Sequence, residues 1–202
     1  QGYQVSLIPN NIEIHSYPYK ARKNLTAKIL WVRSFDKVYN PCMAIKVLKL
    51  LTAYYPDAEL CMMGPDKDGS LQTCQNLAQE LAIDHKVLFT GRLSKKEWTR
   101  MSEQYDLFIS TTNFDNTPIS LMEVMALGLP VISTNVGGVP FLIEDGKTGF
   151  LVKKNDPETM SQKIVHLIQN PEMAFTMAQN ARKKVETFDW KQVKHQWFRL
   201  FQ

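Results

Sequence analysis

Residues 105–140 read YDLFISTTNFDNTPISLMEVMALGLPVISTNVGGVP, from Tyr105 to Pro140. The apolar run Leu107-Phe108-Ile109-Ser110 gives way to a polar loop, Thr111-Thr112-Asn113-Phe114-Asp115-Asn116-Thr117. A helix is predicted from about Pro118 to 127, with Glu123 about one turn in and Gly128 at its end. Leu129-Pro130 then lead into a second apolar run, Val131–Thr134. Strand, helix and strand in this order predict a right-handed βαβ unit with parallel strands. The first N–H groups of such a helix lack intrahelical partners and sit at the positive end of its dipole, so a phosphate or diphosphate fits there.

The same alternation extends in both directions. Strands are predicted at 5–8, 28–32, 59–63, 86–90 and 149–152, several of them unbroken apolar runs such as ILWV and LCMM. Such runs suit strands buried on both faces of a helix-covered parallel sheet. Helices are predicted at 41–55, where Ala44, Val47, Leu48, Leu51 and Tyr55 share a face, and at about 69–82, 94–104 and 157–169. Asp156-Pro157 supplies an N-cap and a first-turn proline. Two further helices, about 171–187 and 190–201, close the chain. The expected fold class is α/β, a single doubly wound, Rossmann-like domain with a parallel sheet. Ligands of such sheets bind beyond the carboxyl ends of the strands, where the strand order reverses. The loops of interest are therefore 33–40, 64–69, 91–93, 111–120 and 135–140.

Composition agrees. The chain has 202 residues, 44% hydrophobic and 22% charged, which excludes a mainly disordered state. At about 150 residues per domain, one domain is the default. A net charge of +4 admits an anionic ligand but is not the dense basic stripe of a nucleic-acid binder. Cys42, Cys61 and Cys74 form neither a CxxC nor a zinc-ligand pattern, and predict reduced thiols in a cytoplasmic protein. No apolar stretch is long enough to cross a membrane. The chain begins at Gln1 and its first residues already read as a strand, so a piece of a longer protein is expected.

The segment 105–140 resembles the C-terminal domain of the group-1 (family 4) glycosyltransferases, whose two-domain architecture is the GT-B fold. The family signature is an acidic residue, seven others and Glu, followed by A-M-A-x-G-x-P-V. Here it reads Asp115-x7-Glu123, then Val124-Met125-Ala126-Leu127-Gly128-Leu129-Pro130-Val131. Val136-Gly137-Gly138-Val139-Pro140 and Asp145-Gly146-Lys147-Thr148-Gly149-Phe150-Leu151-Val152 are similar to further family segments. So are Val87-x-Phe89-Thr90-Gly91 and Ile8-Pro9-Asn10-Asn11-Ile12-Glu13. The resemblance covers essentially the whole chain.

It implies a domain that binds a nucleotide-sugar donor for retaining transfer of a hexosyl group to an acceptor hydroxyl. The implied catalytic residues are Asp115, near the donor sugar, and Glu123, on the ribose hydroxyls. A carboxylate suits the second task because it accepts from two vicinal hydroxyls. Donor-binding roles carry over to Asn116, Thr117, Pro118, Ile119 and Ser120 for the diphosphate, and to Gly91 and Arg92 near the base. The family's usual Gly-Arg-Leu and following Lys are not matched. Arg33 stands at the Gly position, Ser34 at the Arg position and Tyr39 at the Lys position. Either Arg33 and Lys37 swing in to serve instead, or the pair is lost and the donor is held differently.

No metal and no cofactor beyond the nucleotide-sugar substrate are implied, and its base is open. The acceptor, a sugar, lipid or polysaccharide, would be held by a missing N-terminal domain. The final helices, about 171–201, are expected to pack back toward that domain. The implied location is cytoplasmic, with peripheral association at the inner face of the membrane left open. Donor half alone, the chain is expected to be inactive. His15, His85, His166 and His195 have no Ser or Cys partner in a hydrolase pattern. Two alternatives remain: a non-catalytic nucleotide-sugar-binding module, and a nucleotide-sugar epimerase of the same architecture.

Overall fold

The computed structural model describes residues 9–200. Six strands form one parallel sheet: β1 (Lys28–Val32), β2 (Glu59–Met63), β3 (Val87–Gly91), β4 (Leu107–Ser110), β5 (Val131–Thr134) and β6 (Phe150–Val152). Their order is β3-β2-β1-β4-β5-β6, so the direction of winding reverses between β1 and β4. The crossovers carry α1 (Pro41–Leu51), α2 (Ser70–Glu80), α3 (Lys95–Ser102), α4 (Ile119–Ala126) and a single turn, α5 (Val139–Leu142). Three helices follow β6: α6 (Pro157–Gln169), α7 (Pro171–Glu186) and α8 (Trp190–Leu200). None is long and apolar enough to cross a membrane, among the described residues.

The expected Rossmann-like α/β class is what the structure shows, and its strands lie where the apolar runs placed them. The strand expected at 5–8 lies outside the described residues. β3 starts one residue late because Lys86 closes a 3-10 turn, Asp84–Lys86. The single turn α5 replaces part of the loop expected at 135–140.

Alternate side chains of each strand enter opposite layers. Ile29, Trp31, Leu60, Met62, Leu107 and Ile109 pack with α1, α2 and α6. Leu30, Cys61, Met63, Phe108 and Val131 pack with α3, α4 and α5. This two-sided burial is why the strands read as unbroken apolar runs. α7 packs on α4 and α6 and serves both layers: Ala174 and Met177 join the first core, Ala181 and Val185 the second. Of the closing segment, α7 therefore commits its apolar face to this domain. α8 buries Val193 and exposes Trp190 and Phe198.

The stretch ahead of β1 is fastened along the α4 side. Arg22 is buried and donates to the carbonyls of Lys20, Ser102, Tyr105 and Leu127. Carbonyls rather than a carboxylate hold its guanidinium, and burial lowers its pKa to about 10. Arg182 on α7 donates to the carbonyls of Tyr17 and Ala126, at 2.9 and 2.6 Å. Together these bonds press Tyr17 against α4.

Candidate functional site

An open cleft of about 290 Å³ lies at the carboxyl ends of β1, β2 and β3 and is closed by the start of α4, beside the point where the strand order reverses. Its wall includes Arg33, Ser34, Tyr39, Gly64, Arg92, Trp98, Ile119, Ser120 and Glu123.

Buried hydroxyls tie the loop after β1 to the loop after β4, which leads into α4. The indole of Trp31 donates to Thr111 Oγ1 at 3.0 Å, and Thr111 donates on to the Tyr39 carbonyl at 2.9 Å. Thr134 on β5 donates to the Thr112 carbonyl at 2.5 Å. The loop after β5 then supports the one after β4. Gly138 N–H donates to the Asp115 carbonyl at 2.8 Å. A Cβ on Gly138 would stand 1.4 Å from the Asn116 carbonyl oxygen, so only glycine permits this approach. Across the cleft, Gly64 has φ +150° and a Cβ there would meet the Arg33 carbonyl at 1.8 Å.

Arg33 does reach the cleft, but not as a free cation. Its guanidinium is ion-paired with Asp115 and lies over the Tyr39 ring, 4.7 Å from the centroid. Burial lowers its pKa from the ordinary value, with Tyr39 and Glu123 opposing the shift.

Glu123 rises from α4 into the same cleft and is 9% exposed. Its Oε1 accepts from the Tyr17 hydroxyl at 2.5 Å and pairs with Lys95 Nζ at 3.0 Å. None of the described residues pairs with Oε2. Burial, and then the Glu123 carboxylate, push the Tyr17 phenol far above its ordinary value, so it stays a donor.

The other expected residues divide in two. Arg92, Ile119 and Ser120 line the cleft, and the last two open α4, where N–H groups have no intrahelical acceptor. Asn116, Thr117 and Pro118 form the approach to that helix end, outside the lining; Thr117 accepts from Asn10 at 3.3 Å. Gly91 ends β3 at φ +68°, its carbonyl accepting from Gly64 N–H at 2.9 Å. Lys37 is exposed in a 3-10 turn capped by Asp36, its own N–H bonded to Asp68, and is not part of the cleft wall.

Tyr17 and Lys95 were absent from the sequence expectations. Nothing local marks Tyr17, which meets Glu123 across 106 positions of chain. Lys95 had a signal: Ser94 and Glu97 form a capping box, which fixes the start of α3 and sets Lys95 at its first position, beside the loop after β3.

A doubly wound sheet with a switch-point cleft holding a helix N-terminus, a buried carboxylate and two arginines defines a Rossmann-like domain. Residues 19–184 match the family described as glycosyl transferases group 1, and the chain belongs to that family. It is 29% identical over 154 residues to an uncharacterised glycosyltransferase of Haemophilus influenzae, covering 76% of this chain and 42% of that protein. With the sulfoquinovosyl transferase SQD2 of Arabidopsis thaliana it shares 28% identity over 151 residues, 73% of this chain and 28% of that one. The chain thus spans less than half the length of these curated relatives. In structure it is similar to Anabaena HepE in complex with UDP-glucose, with a TM-score of 0.84 at 19% identity over 95% of this chain and 55% of that one. The fold matches part of a GT-B glycosyltransferase, as the sequence motifs implied.

Proposed function

We propose that this domain is the donor half of a group 1 glycosyltransferase. Its cleft binds a nucleotide sugar, and the whole enzyme moves a hexosyl group to an acceptor hydroxyl with retention at the anomeric carbon. Family membership and the UDP-glucose complex of HepE support the donor class. The observation that carries the reading is Glu123, a nearly buried carboxylate with one oxygen satisfied and the other without a partner among the described residues. A ribose diol suits that oxygen. The open end of α4, with Arg92 and Lys95 near it, supplies the positive potential a diphosphate needs.

As the bond between anomeric carbon and diphosphate oxygen breaks, negative charge gathers on the leaving group. Preorganised amides and cations stabilise it there without a covalent intermediate on this domain. The reading is metal-independent. It leaves the acceptor, a sugar, lipid or polysaccharide, to a domain outside this chain. A cytoplasmic enzyme working at the inner face of a membrane is consistent with it.

Calorimetry with UDP, GDP and ADP tests the donor site. Weak binding of one of them is expected, and no binding even at millimolar concentration would overturn the reading.

A second reading, a non-catalytic nucleotide-sugar-binding module, is favoured by one contact. Arg33 and Asp115 neutralise each other, although each was expected to face the donor. Donor turnover by the full-length protein separates the two.

A further inference from the structure

The Tyr17–Glu123 contact joins two segments that the sequence keeps far apart, and its geometry is specific. Tyr17 is 1% exposed, so its hydroxyl has no solvent to turn to. Its carbonyl is held by Arg182 on α7, and its ring lies 6.4 Å from that of Trp98. The hydroxyl therefore cannot follow Glu123 if the carboxylate turns; the carboxylate must come to it. Lys95 Nζ adds a second hold on the same oxygen, and it also stands 5.0 Å over the Tyr17 ring. One hydrogen bond and one ion pair on Oε1, with neither on Oε2 among the described residues, set the rotation of the carboxylate about its last bond.

Resting on the donor-site reading, we propose that Tyr17 is a specificity-determining positioning residue for the ribose end of the nucleotide. With Lys95 it occupies Oε1 of Glu123 and thereby presents Oε2 to the vicinal hydroxyls of the ligand. Without that hold a glutamate on a helix samples several rotamers, and each binding event must restrict them. The contribution of Tyr17 is thus preorganisation. It should be felt only by ligands that carry the diol.

That dependence gives the test a readout that packing alone does not move. The affinities of the full-length protein for UDP and for 2′,3′-dideoxy-UDP are measured by calorimetry, with GDP or ADP and their dideoxy forms used if UDP is not the base bound. The ratio of the two affinities is compared between the wild type and Tyr17→Phe, which keeps the buried ring. The ratio is expected to be large in the wild type and to fall by about tenfold in Tyr17→Phe, with the dideoxy affinity unchanged.

A wild type that discriminates, paired with a variant that discriminates equally well, overturns the role of Tyr17 and leaves the donor site standing. A wild type that ignores the diol overturns the placing of ribose on Glu123, and this inference with it. Should Tyr17→Phe fail to fold, Lys95→Met decides, because Lys95 is exposed and grips the same oxygen. A smaller fall in the same ratio supports the proposal; an unchanged ratio overturns it.

Discussion

Arg33 and Asp115, 82 positions apart in the chain, form an ion pair that joins the loop after β1 to the loop after β4. Both side chains are mostly buried, at 22% and 12% exposure. Breaking a buried pair from one side strands a charge, whereas replacing both partners with apolar groups does not. Asp115→Ala should therefore cost up to about 3 kcal/mol. The double variant Arg33→Met, Asp115→Leu should recover much of that loss. Urea denaturation of both reads the difference; equal losses would show that a stranded Arg33 charge is not what the single variant suffers from.

Glu123→Gln keeps the shape and one acceptor but removes the charge. A hydrogen bond to a charged group is worth about 1.5–3 kcal/mol, so nucleotide affinity should fall roughly 10- to 150-fold. The melting temperature should hold, since Tyr17 can still donate to the amide oxygen. A collapse of the melting temperature with affinity intact would make Glu123 a structural residue.

Gly138→Ala places a methyl group 1.4 Å from the Asn116 carbonyl, which is backbone and cannot swing aside. The loop 115–118 must then move. We expect a loss of more than about 2 kcal/mol in stability, together with weaker nucleotide binding. Gly146→Ala, where no atom lies within 4 Å, is the comparison: its strain is conformational only and its cost should be smaller.

Cys42 and Cys74 bring their sulfurs to 3.5 Å between α1 and α2. The sulfur contact with Cys74 favours the Cys42 thiolate and lowers its pKa to about 7, while that same contact and burial push Cys74 up. The thiolate of Cys42 should accumulate as the pH rises through about 7. Iodoacetamide followed by mass spectrometry should label Cys42 first, at half its maximal rate near that pH. In Cys74→Ala the midpoint should move up toward the ordinary thiol value of 9.0. A midpoint that stays put would remove the sulfur contact as its cause.

A donor half lacks the acceptor's side of the cleft, and transfer needs both held in line. The 202-residue chain should show slow donor hydrolysis at most, while the full-length protein transfers sugar. A radiolabelled donor assay on both makes the comparison. Robust transfer by the shorter chain would mean that the acceptor groups lie within it.

The strands were legible because both faces of the sheet are buried, which leaves runs such as Ile29-Leu30-Trp31 with no polar interruption. β3 and β6, expected at 86–90 and 149–152, each start one residue later, and β3 also ends one later. β3 lies at the sheet edge and is only partly buried, so its pattern was weaker. α5 was read as loop because one helical turn holding Pro140 offers no periodicity to detect. In the site, Glu123 was legible through its motif. One of the two expectations had Lys37 swing in for the family's Lys, two positions on, but the reach of a side chain does not set the direction of its loop. Asp36 and Asp68 fasten that turn by its backbone, and its side chain is left exposed. Tyr17 was not legible at all, because the Arg182 bond that holds its backbone and the Glu123 bond it makes are contacts between distant segments.

α7 places side chains in both cores. A doubly wound sheet separates its two hydrophobic layers, and each could in principle melt on its own. Here Ala174 and Met177 bind the helix into one layer and Ala181 and Val185 into the other, along a single rigid rod. Neither layer can open without releasing part of a helix that the other still holds. The domain is thereby built for all-or-none denaturation: fluorescence from Trp31 in one layer and Trp98 in the other should trace a single, coincident transition.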